Sequence, residues 1–409
     1  VSETADRNEV WITGVGLVSS LGADAGEHVA KLFSGDAAVH PALDETRYAP
    51  YPVHPIVPLD VSSQIPKKSD QKQMELWQRI GVYAAGLALS DAGIARNAEL
   101  LDRTHLVVAA GSGERDTKVD CEVLERLGPR DDAALLAKEV LPSALRPTLF
   151  LAQLSNMLAG NISIVHSVTG SSRTFMGEEM AGLAAVENAF RRIRADQAEV
   201  ILVGGALNAE REDLLLGYEI GHNLWRGPFR PVWERHAGGG GFVPGSVGAF
   251  VVLEQRAHAE GRGAKPYARV SAVETDRASR DPGQTAHALM QLLARIEAGL
   301  EPAGPVLALS GASGVEPATS EELIFLARLA TQSHETTARA YGSLLGHGVE
   351  AHFPLGIALA ALALKSGVAP SASGSPDVER PYPGEVERVL VTGVGHWRGE
   401  GLALLQAIR

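Results

Sequence analysis

Two stretches of this chain are Ala/Leu-rich and apolar on more than one side of a helix, Met180–Ile193 and Leu355–Leu364. A helix that is apolar all round has to be enclosed on all sides. Two of them in one chain call for layers above and below, with helices sandwiched between sheets in an α/β arrangement. They also open alike, Met180-Ala-Gly182-Leu183-Ala184 against Pro354-Leu-Gly356-Ile357-Ala358, which points to an internal duplication. The halves would be residues 1–255 and 256–409, joined in Glu254–Arg269 around Gly261 and Gly263. The longest apolar run, Phe353–Leu364, has twelve residues. That is short of a bilayer span, so no membrane crossing is expected.

Short apolar runs without alternation recur at Thr104–Gly111, Val200–Gly205, Gly248–Glu254, Pro305–Ser310 and Val389–Gly395. Such runs suit strands covered on both faces. Residues 9–22 read as another strand entering a tight turn. Gly14 and Gly16 fit a dinucleotide fingerprint, but Ser19 stands where a third glycine belongs, and a proline-rich stretch (36–66) follows. No nucleotide cofactor is expected. Met74–Ala92 places Leu76, Ile80, Tyr83, Ala84 and Leu87 on one helical face, and Lys365–Glu385, rich in Pro, Ser and Gly, reads as a surface loop.

The formal net charge of −12 lacks the footprint of a general nucleic-acid binder. A single cysteine, Cys121, excludes an internal disulfide and a cysteine-based zinc cluster, and in Val119–Leu127 it reads as a packed thiol. There is no HExxH and the 13 histidines are scattered, so no metal site is expected. No GxSxG is present, and Ser171 and Ser172 fall in a turn, Gly170–Arg173. The opening Ser2–Arg7 is polar and mixed in charge, unlike a secretory signal, so a cytoplasmic chain is expected.

An ordered set of segments resembles the β-ketoacyl-acyl-carrier-protein synthases, the condensing enzymes of the thiolase fold. Val10–Gly22 is similar to their first strand and turn, and Asn156-Met157-Leu-Ala159-Gly160-Asn-Ile-Ser-Ile164 to an Asn-Met-x-Ala-Gly-x-Leu-Thr-Ile segment. Val200–Gly205 matches the strand after the nucleophile helix, Gly241–Glu254 a Gly-Phe-Val-x-Gly-x-Gly-Ala segment, and Gly346-His347 the Gly-His before the second buried helix. The resemblance runs from about residue 8 to 409. It implies the five-layer αβαβα fold with two pseudo-repeated halves, a dimer, and acyl carrier protein as partner.

The same resemblance places a catalytic cysteine at the start of the first buried helix, where the helix end would acidify a thiol. An ungapped alignment from Gly160 through Gly182 puts Glu179 there, and one residue of slip puts Glu178 there. Ser310 takes the place of the first family histidine, Gly342 that of the lysine, and His347 alone is retained. His347 reads equally as a packed structural histidine or a catalytic remnant. The gating loop reads Gly393-Val394-Gly395-His396-Trp397-Arg398 in place of Gly-Phe-Gly-Gly-Thr-Asn. Lys67, Lys68 and Lys72 offer a basic patch for docking an acidic carrier protein, or only a solvated helix entry. The implied role is a chain-length-factor-like partner of an active ketosynthase, in a very-long-chain fatty acid system rather than an aryl polyene one. The alternatives are a malonyl-ACP decarboxylase and a homodimer that binds acyl-ACP or lipid. No cofactor is expected.

Overall fold

The computed structural model describes residues 8–408, apart from 34–38, 128–133, 135, 146–148, 302–303 and 333–334. The polar opening at Ser2–Arg7 lies outside the described residues.

Ten strands form one continuous array, β3-β2-β4-β5-β1-β6-β10-β9-β7-β8. They are β1 (Val10–Val18), β2 (His105–Ala109), β3 (Ser172–Phe175), β4 (Val200–Leu207), β5 (Val247–Gln255), β6 (Ala268–Asp276), β7 (Val306–Ser310), β8 (Thr336–Ala340), β9 (Arg388–Val394) and β10 (Glu400–Gln406). The array is two five-stranded sheets of the same design. β3, β2 and β4 are parallel, and β5 and β1 follow antiparallel; β8, β7 and β9 are parallel, and β10 and β6 follow antiparallel. Among the described residues the two sheets pair through β1 and β6, over Val10–Ile12.

Six helices build the layers: α1 (Leu76–Asp91), α2 (Met157–His166), α3 (Glu179–Arg194), α4 (Gln284–Ile296), α5 (Ala318–Gln332) and α6 (His352–Ser366). α1 and α2 cover the outer face of the first sheet, and α4 and α5 the outer face of the second. α3 and α6 lie between the sheets, and the largest apolar core gathers around them. This is the five-layer thiolase-like architecture. Every α6 residue from His352 to Leu364 is buried, as a helix apolar all round demands. With the turn before it, Val349–Ser366 is long and apolar enough to cross a membrane, yet 89% of it is buried as the core helix of this fold. The inner helices interlock at Gly182, where a Cβ would stand 2.9 Å from Pro354 Cδ.

Three local expectations are corrected. Residues 172–175 form the edge strand β3, not a turn; a short polar strand carries little pattern of its own. Cys121 is exposed on its helix (Thr117–Leu127), so it is not a packed thiol. The segment 365–385 does more than cover surface: its Glu379 is buried, accepting hydrogen bonds from Trp233 Nε1 (3.1 Å) and Ala340 N (2.9 Å).

Candidate functional site

The chain leaves β3, turns at Met176–Glu178 and enters α3 at Glu179. Glu178 holds φ 54° and ψ −135° at this turn. A side-chain-bearing residue at positive φ costs about 1–3 kcal/mol and persists only where its surroundings enforce it. The turn carries the next carboxylate, Glu179, into the interior, where it is 5% exposed.

Two imidazoles meet that carboxylate. His347 Nε2 lies 2.9 Å from Glu179 Oε1, in hydrogen-bonding geometry. His396 Nδ1 lies 2.9 Å from the same oxygen. The backbone of His347 is clamped to the segment 243–245: its N–H donates to the Val243 carbonyl (2.8 Å) and its carbonyl accepts from Gly245 N (3.1 Å). The close approach needs glycine at 346, where φ is 72° and a Cβ would stand 2.6 Å from Gly245 Cα. His396 lies in the loop after β9, stacked on Phe242 with ring centroids 4.9 Å apart, and its Nε2 is 3.2 Å from Ser313 Oγ. Arg280 fixes that loop by donating to the Gly395 carbonyl (3.0 Å from Nε).

A third imidazole backs the pair. The His352 ring centroid is 4.1 Å from that of His347, and His352 Nδ1 accepts from Gly348 N (3.2 Å), which leaves its proton on Nε2. A Cβ on Gly342 would meet His352 Cε1 at 3.5 Å, so His352 occupies the space beside Gly342.

Burial opposes the charge on Glu179, but His396 and His347 more than offset it and hold the carboxyl well below its ordinary range. Burial also lowers His347, against the pull of Glu179, and lowers His352 further. Two neighbouring carboxyls move the other way. Burial, reinforced by Glu179, raises Glu178, and burial pushes Glu350 up to about 7, with Glu179 and Glu178 adding to it. Arg235, wholly enclosed, is pulled down to about 9 by burial and donates from Nη1 to the Ser313 carbonyl (2.9 Å).

Of the positions singled out from the sequence, Glu179 and His347 come into contact. Ser310 is engaged elsewhere: its hydroxyl donates to Glu322 Oε1 (2.6 Å), which also accepts from Thr392. Gly393 is packed against Leu183 and Phe353, and Val394 is buried. Gly395 borders the site, since a Cβ there would stand 3.3 Å from Glu179 Oε2. Lys67, Lys68 and Lys72 are exposed around the short helix Lys68–Gln73 that leads into α1. His396, His352, Ser313 and Glu350 were not singled out. His396 was visible inside the divergent loop 393–398, and His352 as the lone imidazole opening an apolar helix.

A cavity of about 430 Å³ adjoins the site, lined by Trp77, Met176, Glu178, Tyr218, Glu350 and Trp397 among others. Glu178 and Trp397 are the chain neighbours of Glu179 and His396, so one wall of the cavity is the back of the carboxylate–imidazole cluster.

The model of the β-ketoacyl synthase N-terminal domain matches residues 7–259. The chain belongs to the β-ketoacyl synthase family. This ketosynthase homologue is 27% identical over 273 residues to 3-oxoacyl-[acyl-carrier-protein] synthase 2 of Vibrio cholerae, a match covering 64% of this chain and 62% of that relative's length. Among solved structures, the ishigamide ketosynthase/chain length factor superposes with a TM-score of 0.78 at 20% identity, covering 98% of this chain and 100% of that one. A chain from the complex of a type II polyketide acyl carrier protein with its hexaketide-bound ketosynthase gives a TM-score of 0.71 at 16% identity, again over 98% and 100% of the two chains. Both share the fold.

Proposed function

We propose that this ketosynthase homologue does not condense acyl chains itself. It acts as a chain-length-factor-like subunit that pairs with an active ketosynthase, serves a fatty-acid or related acyl pathway in the cytoplasm, and helps bound the growing chain. Residues 1–255 and 256–409 are its two pseudo-repeated halves, and Glu179, Ser310 and Gly342 stand where the family keeps cysteine, histidine and lysine. One observation carries the reading: the side chain at the start of α3 is a buried carboxylate held by two histidines. A carboxylate held in its charged form offers no thiol for acyl transfer and repels the carboxylate of a malonyl thioester. Lys67, Lys68 and Lys72 form the patch for an acidic carrier protein, and the likeness to a ketosynthase/chain length factor agrees with the pairing. The test is twofold. The purified chain, given acyl-ACP and malonyl-ACP, should make no β-ketoacyl-ACP, and gentle purification from its native cells should bring down a cysteine-bearing ketosynthase in equal amount. Condensation by the chain alone would overturn the proposal.

A second reading, malonyl-ACP decarboxylation without condensation, draws on His396, which places a second imidazole beside His347. Carbon dioxide release from malonyl-ACP that is lost in His347→Ala would favour it, and no release would remove it.

A further inference from the structure

One ligand atom from each of Glu179, His347 and His396 lies within 4.8 Å of the other two, buried, and the three come from elements far apart in the chain. We infer that these three side chains form a binding site for one Zn²⁺ ion, with Glu179, His347 and His396 as its ligands.

The donor set comes first. Two neutral imidazoles and one carboxylate are a three-ligand set that zinc takes, leaving a fourth position for water or another oxygen ligand. The separations come second. Glu179 Oε1 stands 2.9 Å from both His347 Nε2 and His396 Nδ1, so an ion about 2.0–2.1 Å from each donor can bridge them.

The outer contacts fit at His396, while His347 Nδ1 is buried without a hydrogen-bond partner. A histidine bound through one nitrogen donates from the other, and the second nitrogen is best tied to an oxygen. His396 Nε2 faces Ser313 Oγ at 3.2 Å, which fits an Nε2–H donor and an unprotonated Nδ1. Phe242, stacked on the same ring, sets its plane. Arg235 and the positive end of α3 oppose a cation here, and the Glu179 charge counters them. Binding displaces the proton that His347 Nε2 otherwise donates to Glu179.

The site stands apart from the partner reading: a zinc-free chain could still pair, and a zinc-bound one could still act alone. The test uses the full chain with any affinity tag removed, or its co-purified complex. After stripping with chelator, Zn²⁺ is titrated against a chromophoric competitor, and Co²⁺ is added in parallel to read a tetrahedral visible absorption. One equivalent should bind with a tetrahedral cobalt spectrum and a raised thermal midpoint. Glu179→Gln and His396→Phe should each weaken binding at least about 100-fold, while His287→Ala, at an exposed histidine, should not. His396→Phe keeps an aromatic ring against Phe242, and Glu179→Gln keeps the volume, so circular dichroism and gel filtration can certify the fold of each. Failure of the wild-type chain to bind one equivalent, or equal binding by both folded variants, overturns the inference.

Discussion

Replacing Glu350 with glutamine should stabilise the chain in alkaline solution and leave it unchanged in acid. Glu350 sits in the turn before α6, 7% exposed, and burial raises its carboxyl from the ordinary 4.5 to about 7, with Glu179 and Glu178 adding and Arg211 opposing. Below 4.5 both folded and unfolded chains hold the proton, so the group costs nothing. As pH climbs, the unfolded chain releases the proton first, and stability falls until the folded carboxyl also ionises near 7. At about 1.4 kcal/mol per pH unit, the full loss above that point is on the order of 3 kcal/mol. Glutamine has no proton to lose and escapes it. With about 2.1 cal/mol/K of unfolding entropy per residue, a chain this long gains roughly 1 °C per kcal/mol, so Glu350→Gln should melt about 3 to 4 °C above wild type at pH 8.5. The gap should close by pH 4.5. Differential scanning fluorimetry at one fixed protein concentration reads it. A gap that does not change with pH, or a variant that melts below wild type at pH 8.5, would refute the reasoning and show that the Glu350 charge is compensated.

Leu183 is fully buried on α3 beside Gly393 and Gly401, so Leu183→Ala should cost about 2–5 kcal/mol, seen as a lower thermal midpoint. Gly346→Ala meets both a φ of 72° and backbone at 2.6 Å, and should lose more than about 1 kcal/mol in urea melts, while an alanine at the exposed Gly261, with open space around it, should be nearly silent. Cys121 should react with a thiol reagent in the native chain, one equivalent without denaturant; a thiol that reacts only after unfolding would contradict its exposure.

The layers were legible because enclosure writes itself into composition. α6 could not be a surface helix, and β4, β5, β7 and β9 are continuous apolar runs because both faces are covered. β6 was not singled out, for it mixes buried Val270 and Val273 with half-exposed Ser271 and Glu274 and carries no single period. The site was legible only in part. Glu179 and His347 stood out through the segments around them. His396 acquires its meaning from Phe242 and Ser313, contacts 154 and 83 residues away that no local pattern announces. Ser310 read as a lost histidine, and its hydroxyl is tied to a glutamate twelve residues on.

Glu179 arrives from the sheet containing β3, whereas His347 and His396 arrive from the ends of β8 and β9 in the other sheet. The sheets themselves are stitched over three residues, Val10–Ile12. The carboxylate–imidazole cluster is therefore a second junction between the two sheets, made by side chains where the strands supply three pairs, and the clamp of His347 onto Val243 and Gly245 ties the far sheet's loop back to the near one.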